Sequence, residues 1–464
     1  MARGKKKEEL SLEEKLERAL VPVKEQPYEV PENWCWTTVE SISDIVSKGT
    51  TPKGGKSSYV EDGIRFLRVE NFLDDGTISH EGMMHIAEDI HLGFLKRSIL
   101  IKDDVLISIA GTLGKTAIVQ EDNLPINTNQ AVAFIRLNSK VKILPKYLRF
   151  SLVNPIIQKY LLEKTKVTSI PNLTLEIISG CPIPLPPLSE QQRIVERVES
   201  LFAKLDEAKE KVQVVVDGYE ARNASIYHKA FCGKLTEKWR VDNNIKNEWK
   251  KLRFDEVADI KSNLVDPLKY LNYPHIAPDN IEKRTGKLLD FHTIKEDGVV
   301  SGKHRFHAGQ ILYSKIRPYL SKVVMVDFDG LCSADMYPIE ARGNTRFLWY
   351  YMLSDEFLEQ ASSAGSRSVL PKINQKELSA IEVSITSEEE QAAVVDMLDS
   401  ILPTIQQAKE AADNVIEQID FIKQSILAKA FRGELGTNNP AEESSVELLK
   451  NILEETGADT DVKF

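Results

Sequence analysis

The chain contains one helical segment twice, and that repeat limits the folds open to it. One copy opens at Ser189-Glu190-Gln191-Gln192-Arg193-Ile194-Val195 and closes at Lys229-Ala230-Phe231-Cys232-Gly233-Lys234-Leu235. The other opens at Ser387-Glu388-Glu389-Glu390-Gln391 and closes at Lys429-Ala430-Phe431-Arg432-Gly433-Glu434-Leu435. The offset is 200 residues at both ends (391 minus 191, 429 minus 229), so the copies align without a gap and mark a tandem duplication. Ile194, Val198, Leu201, Leu205, Val212 and Val215 in the first copy fall at heptad spacing, as do Leu398, Ile401, Ile405, Val415, Ile419 and Ile422 in the second. This spacing keeps a narrow apolar stripe on one side of each helix, too narrow to fold alone, so each helix is expected to zip against the other. At about 1.5 Å per residue both should be on the order of 60 Å long. Each closes on an aromatic and then a glycine, a helix-stop pattern.

A chain of 464 residues has room for about three domains, and the duplication divides it into two similar globular stretches plus the helical pair. Cys35, Cys181, Cys232 and Cys332 stand far apart, with no ligand-type spacing, and read as thiols in a reducing compartment rather than as disulfides or zinc ligands. There is neither a signal peptide nor an apolar run of membrane length, which points to a cytoplasmic protein without a membrane partner. The net charge of -10 and pI near 5.5 argue against a simple nucleic-acid binder. The excess acid, however, gathers in the second helix and in the tail, with Glu442, Glu443, Glu447, Glu454, Glu455, Asp459 and Asp461. A tail's charge does not describe the face of a folded domain.

Taken in order, residues 1–26 form an extension with a short amphipathic helix around Leu12, Leu16 and Leu20. Residues 27–188 form a first globular domain. Short apolar runs at 64–69, 98–101, 105–109, 116–119 and 131–135 predict strands, and 146–163 predicts a helix. A proline-rich strap at 181–187 leads into the first long helix, 189–235. After a linker at 236–248, a second globular domain at 249–386 repeats this order with little identity: Trp249 stands for Trp36, Asn280 for Asn71, Gly286 for Gly76, and 311–314 for 105–108. The second long helix, 387–435, follows a junction without the strap, expected to be looser, and an acidic tail fills 436–464. The expected fold is α+β: two similar mixed α/β domains joined by two long helices that form an antiparallel coiled coil.

The stretch Ala110-Gly111-Thr112-Leu113-Gly114-Lys115-Thr116 ends like a phosphate-binding loop, but Ile109 stands where the loop's first glycine must be and a strand-like run follows where a helix must open. It reads as a glycine-rich turn between strands, with Thr112 and Lys115 at a tip that could meet a DNA phosphate. The matching turn of the second domain carries Lys315, Arg317, Tyr319 and Lys322, which suits phosphate anchoring and a base-edge contact. Further candidate DNA contacts are Lys53, Lys56, Arg68, Asn71, Asn127, Asn129 and Lys166 in the first domain, and Lys261, His275, Asn280, Lys303, Arg305, Arg367 and Lys372 in the second. The eight histidines are not set with carboxylates or cysteines at metal-ligand spacing, so neither a metal site nor a catalytic set is expected.

With these residues in view, the chain resembles the specificity (HsdS) subunits of Type I restriction-modification systems. The resemblance rests on Pro31-Glu32-Asn33-Trp34, on the run from Pro184 to Val195, on Ala230-Phe231-Cys232-Gly233-Lys234-Leu235-Thr236 with Trp239, and on the close of the second helix. It implies two target recognition domains, each reading half of a bipartite sequence in double-stranded DNA, held apart by the helical pair. It also implies two modification (HsdM) subunits that carry S-adenosylmethionine for adenine N6 methylation, and restriction (HsdR) subunits that use ATP and magnesium. This chain would hold no cofactor and do no chemistry. The alternative is a coiled-coil assembly scaffold that reads no DNA.

Overall fold

The computed structural model describes residues 10–139, 143–165, 172–364 and 371–455. It falls into two compact units, and the division cuts across both long helices: one unit holds the chain up to Glu210 and again from Ile416, the other Lys211–Val415. Each unit is a globular domain plus the near end of one long helix and the far end of the other.

In the first unit, Cys35–Thr38 pairs with Pro182–Leu185, so the proline strap is a short strand that needs few N–H donors. A four-stranded antiparallel sheet runs in the order Ser43–Lys48, Val132–Leu137, Val105–Ser108, Thr116–Ile118. The run Val105-Leu106-Ile107 is apolar without a break because this sheet is covered on both faces. Val105 and Ile107 pack with the helices, whereas Leu106 joins a second core with Phe134 and Leu100. A five-stranded sheet lies beyond, with Ile64–Leu67 and Ile126–Thr128 parallel at its centre. The helix expected at 146–163 is two, Pro145–Val153 and Pro155–Glu163. Pro155 forces Asn154 out of the helical region, and the Asn154 side chain then caps the second helix at Ile156 N, 3.1 Å away.

The second unit repeats the plan. Ala258–Ile260, Met336–Ala341, Ile311–Ser314 and Val323–Met325 form the four-stranded sheet in the same order, again with Ile311 and Tyr313 on one core and Leu312 on the other. Its five-stranded sheet has the same central parallel pair, Pro274–Ile276 with Gly330–Cys332, but the fifth strand is added at the opposite edge. Despite lacking the prolines, Glu382–Ile385 pairs with Lys250–Arg253 as the strap does with Cys35–Thr38.

The first long helix is not continuous. Leu188–Asp217 stops at Gly218 and Tyr219–Phe231 continues, with Arg222 bonded back to the Val215 carbonyl across the break. Glu388–Ala430 runs through Pro403 unbroken. Within each unit the helices are antiparallel. In the first, Lys209 meets Asp420 at 3.0 Å and Asp206 meets Lys423; in the second, Tyr219 donates to Gln406 and lies beneath Lys409. Ile194, Val198, Leu398 and Ile419 are buried in these contacts, and Leu201, Leu205, Val212, Val215, Ile401 and Ile405 are half-buried. Two of the expected seam positions are corrected: Val415 is 40% and Ile422 is 46% exposed, and Ile416 and Lys423 face inward instead. Lys423 sets its ammonium over the Phe202 ring, 5.1 Å from its centre, and pairs with Asp206, so a charged residue fills a stripe position.

The stretch after Leu435, expected from its composition to be an acidic tail, is folded onto the first unit as far as it is described. Helix Ser445–Glu455 buries Leu449 and Ile452 against the amino-terminal helix Leu12–Ala19, which Ser11 and Glu14 close with a reciprocal capping box. This cap belongs to the first unit; in the second, Lys250, Lys251 and Arg253 of the corresponding strand face solvent.

Candidate nucleic-acid interface

Each unit is locked where its globular domain meets its helices by one buried glutamate, at the same place in both copies. Glu190 accepts from Trp34 Nε1 at 2.7 Å and from Asn438 Nδ2 at 3.0 Å, while neighbouring Arg193 clasps Glu442 through two nitrogens. Glu390 accepts from Trp249 Nε1 at 2.8 Å, from Thr386 at 2.7 Å, from Thr236 and from Arg240. Burial pushes both carboxyls up. At Glu390 the four donors outweigh it and hold the group below its ordinary value; at Glu190 burial prevails and the group is raised. Sequence reasoning passed over this pair, although an acid followed by glutamine at the same place in both copies was a signal.

The lock leaves the outer turns of each domain free to differ. The phosphate-loop-like stretch is a hairpin turn joining Val105–Ser108 to Thr116–Ile118, with Gly111 and Gly114 at positive φ. Thr112 stands exposed at its tip, and Lys115 is drawn to Asp74 at 3.4 Å. Beside it opens a recess of about 760 Å³ lined by Lys48, Thr50, Gln130, Asn172, Thr174 and Glu176 among others. In the second unit the matching turn carries Lys315 over the Tyr337 ring, exposed Arg317, Tyr319 at 49% exposure and Lys322, whose ammonium meets the Pro278 carbonyl and Asp279. Lys372 is bridged to this turn through Ile316 and pairs with Asp335.

Other candidate contacts also lie at the surface. Lys53 covers the exposed Phe94 ring, Arg305 covers Tyr270, and Lys261 is shared by Asp259 and Glu340. Arg68, half-buried, pairs with Glu70, and Asn129 turns its amide oxygen back to Ala131 N. Five candidates are corrected, because their side chains serve the fold. Asn127 is fully buried and donates to the Leu95 carbonyl. Asn71 and Asn280 make the same two bonds in the two units: each caps a backbone N–H three residues earlier, at Arg68 and Ala277, and each donates to a carbonyl ten residues on, at Glu81 and Asp290. His275 is buried with Nδ1 on Asp297 at 2.7 Å, a bond that holds the carboxyl below its ordinary value against burial. Lys303 is buried, which lowers its ammonium pKa, and points at Ser301. Lys56 lies in the short turn Gly55–Ser58, and Lys166 and Arg367 lie outside the described residues.

Two copies of one mixed α/β scaffold, each sharing both long helices and each offering a different set of exposed turns, define a tandem recognition protein. Residues 31–215 and 246–418 match the family described as Type I restriction modification DNA specificity domain, and the chain belongs to that family. It is 39% identical over 330 residues to the Type I restriction enzyme EcoDI specificity subunit of Escherichia coli, spanning 65% of this chain and 74% of that one. To the EcoKI specificity subunit of Escherichia coli strain K12 it is 24% identical over 467 residues, spanning 92% and 97%. The fold is that of the HsdS subunit from Thermoanaerobacter tengcongensis (TM-score 0.57, 19% identity, 89% of this chain and 100% of that one). It is also that of a chain from a structure concerned with complex assembly and conformational transition of the type I R-M system (TM-score 0.67, 19% identity, 88% and 100%). Among the described residues no group of three or more His, Cys, Asp or Glu is placed to hold a metal, and no helix is long and apolar enough to cross a membrane.

Proposed function

We propose that this chain is the DNA-reading subunit of a Type I restriction-modification complex, in which each globular domain reads one half of a bipartite target. The helices set the spacer between the halves and dock two modification (HsdM) subunits, whose S-adenosylmethionine supplies methyl groups for adenine N6. Restriction (HsdR) subunits with ATP and magnesium would add cleavage, and this chain contributes recognition without chemistry. The partners also supply phosphate-neutralising charge, which reconciles an acidic chain with DNA binding.

The observation that carries this reading is a constant framework under variable turns. Asn71 and Asn280 hold the same loop, and Glu190 and Glu390 the same junction. The turn at 109–115 nevertheless carries a single lysine where that at 315–322 holds two lysines and an arginine. A scaffold needing only assembly contacts has no use for such divergence. Replacing residues 27–188 with the same region of a relative, in the complete complex, should change one half of the methylated motif and leave the other half and the spacer intact. Sequencing of modified adenines reads this directly, and a swap that altered both halves or neither would sink the proposal.

A further inference from the structure

The turn from Lys315 to Lys322 is built more rigidly than its exposure requires. Ser314 N bonds Lys322 O at 3.0 Å, Leu320 N bonds Arg317 O at 2.9 Å, Ser321 N bonds Pro318 O at 2.9 Å, and Arg317 N is pinned to Pro371 O at 2.7 Å. Arg317 (φ 49°) and Ser321 (φ 45°) both take the left-handed conformation that disfavours side chains, and Ser321 O accepts from Arg284 N, itself at φ 64°. Three of the five non-glycine residues with positive φ among those described thus meet at this one place. The corresponding turn of the first unit, one residue shorter, uses Gly111 and Gly114 at its positive-φ positions, so such a position does not itself call for an arginine.

The neighbouring cations are engaged: Lys315 with the Tyr337 ring, Lys322 with Asp279, Lys372 with Asp335, Arg284 with Asp355. The Arg317 guanidinium, exposed, has no hydrogen bond or ion pair among the described residues. A free planar fork on a fixed Cα suits a bidentate partner of fixed position. A phosphate can be held by a flexible lysine, whereas the O6 and N7 edge of guanine in the major groove asks for an oriented fork. We infer that Arg317 is a sequence-reading side chain of the second unit and takes a guanine edge. This rests on the reading of the chain as a bipartite DNA recognition subunit. The first unit, which has no arginine at this turn, must read by other groups, and the recess beside Thr50 and Gln130 is the polar surface adjoining it.

Arg317→Gly is the informative variant, because glycine relaxes the backbone at this position and the thermal midpoint should hold or rise. In the complex of full-length chain and modification subunits, sequencing of modified adenines should show one guanine of one half-site becoming degenerate, the other half-site unchanged. Discrimination at that base in a competition binding assay should fall roughly ten-fold or more. Arg317→Lys should keep the salt dependence of binding but lose most of that discrimination. An unchanged motif with unchanged affinity overturns the inference. So does a uniform loss of affinity with the motif intact and the salt slope reduced by about 0.9, which marks a phosphate contact. If the unaltered complex itself methylates one uninterrupted motif, the underlying functional reading fails instead.

Discussion

Glu190 and Glu390 occupy one position in the two copies yet answer to pH in opposite senses. Glu390 shares its pocket with Arg240, which also bonds the Gly233 carbonyl, so Glu390→Ala strands a buried guanidinium and should cost about 3–5 kcal/mol. Glu190→Ala leaves only the neutral donors of Trp34, Thr437 and Asn438, because Arg193 turns to Glu442, and should cost about 1–3 kcal/mol. Denaturant melts of the two variants test this order. The folded-state value of Glu390 is depressed, so its stabilisation is complete above the ordinary glutamate range and is lost as pH falls through that lower value. That of Glu190 is raised, so its contribution is present at low pH and is lost as pH rises. Acidifying from about pH 6 to about pH 4 should therefore reduce hydrogen-exchange protection around Trp249 and Thr236 relative to that around Trp34 and Asn438. Equal loss in both units would refute the assignment. At this scale the sequence supplied residue types but not their direction: asparagine serves a base edge and a turn cap equally well, and only burial of Asn127 and Asn71 and the two backbone bonds of half-buried Asn280 separate them from surface readers.

Among the elements, the duplication and most strands were legible, because a sheet covered on both faces writes itself as short unbroken apolar runs. The helix seam was legible in spacing, as buried Ile419 shows, but two of its positions were placed one residue early, since Val415 and Ile416 offer adjacent apolar choices and a rule that counts only apolar residues passes over Lys423. One residue on a helix is a rotation of about 100°, enough to carry a side chain out of the seam. In the isolated chain Ile419→Ala should cost about 2–4 kcal/mol, whereas Ile422→Ser should stay within roughly 0.5 kcal/mol. A seam-like loss at Ile422 would restore the original register. The carboxyl-terminal segment was illegible for a different reason: its contacts lie some 250 to 400 residues away in sequence, as in Arg193 with Glu442 and Asn33 with Asn438, and composition shows only acid. Truncation after Leu435 removes Asn438 and Glu442 from the first lock and uncovers the apolar face of Leu12–Ala19. Limited proteolysis should then cut within residues 10–40 while the second domain stays resistant; an unchanged pattern would show the tail to be dispensable.

For the molecule as a whole, the proposed ruler makes a demand that sequence swaps between domains do not test. If the helices set the spacer, lengthening them must lengthen the gap between half-sites without altering either half. A seven-residue insertion preserves the face presented along a heptad seam, whereas four residues in one helix alone would rotate the remainder and break pairs such as Lys209 with Asp420. Matched heptads should therefore enter both helices, after Glu210 in the first and before Ile416 in the second, where the two units divide. Seven residues add roughly 10 Å of helix. At about 3.4 Å per base pair this corresponds to about three further base pairs of spacer, on which the halves also turn about the duplex axis by roughly 100°. That rotation makes the outcome sharp, because the DNA must twist or the complex must give for both halves to be engaged. The expected result is methylation of the same two half-sites at a spacer longer by about three base pairs, with a reduced rate. An unaltered spacer at full rate would mean that the separation is set by the partner subunits rather than by this chain's helices.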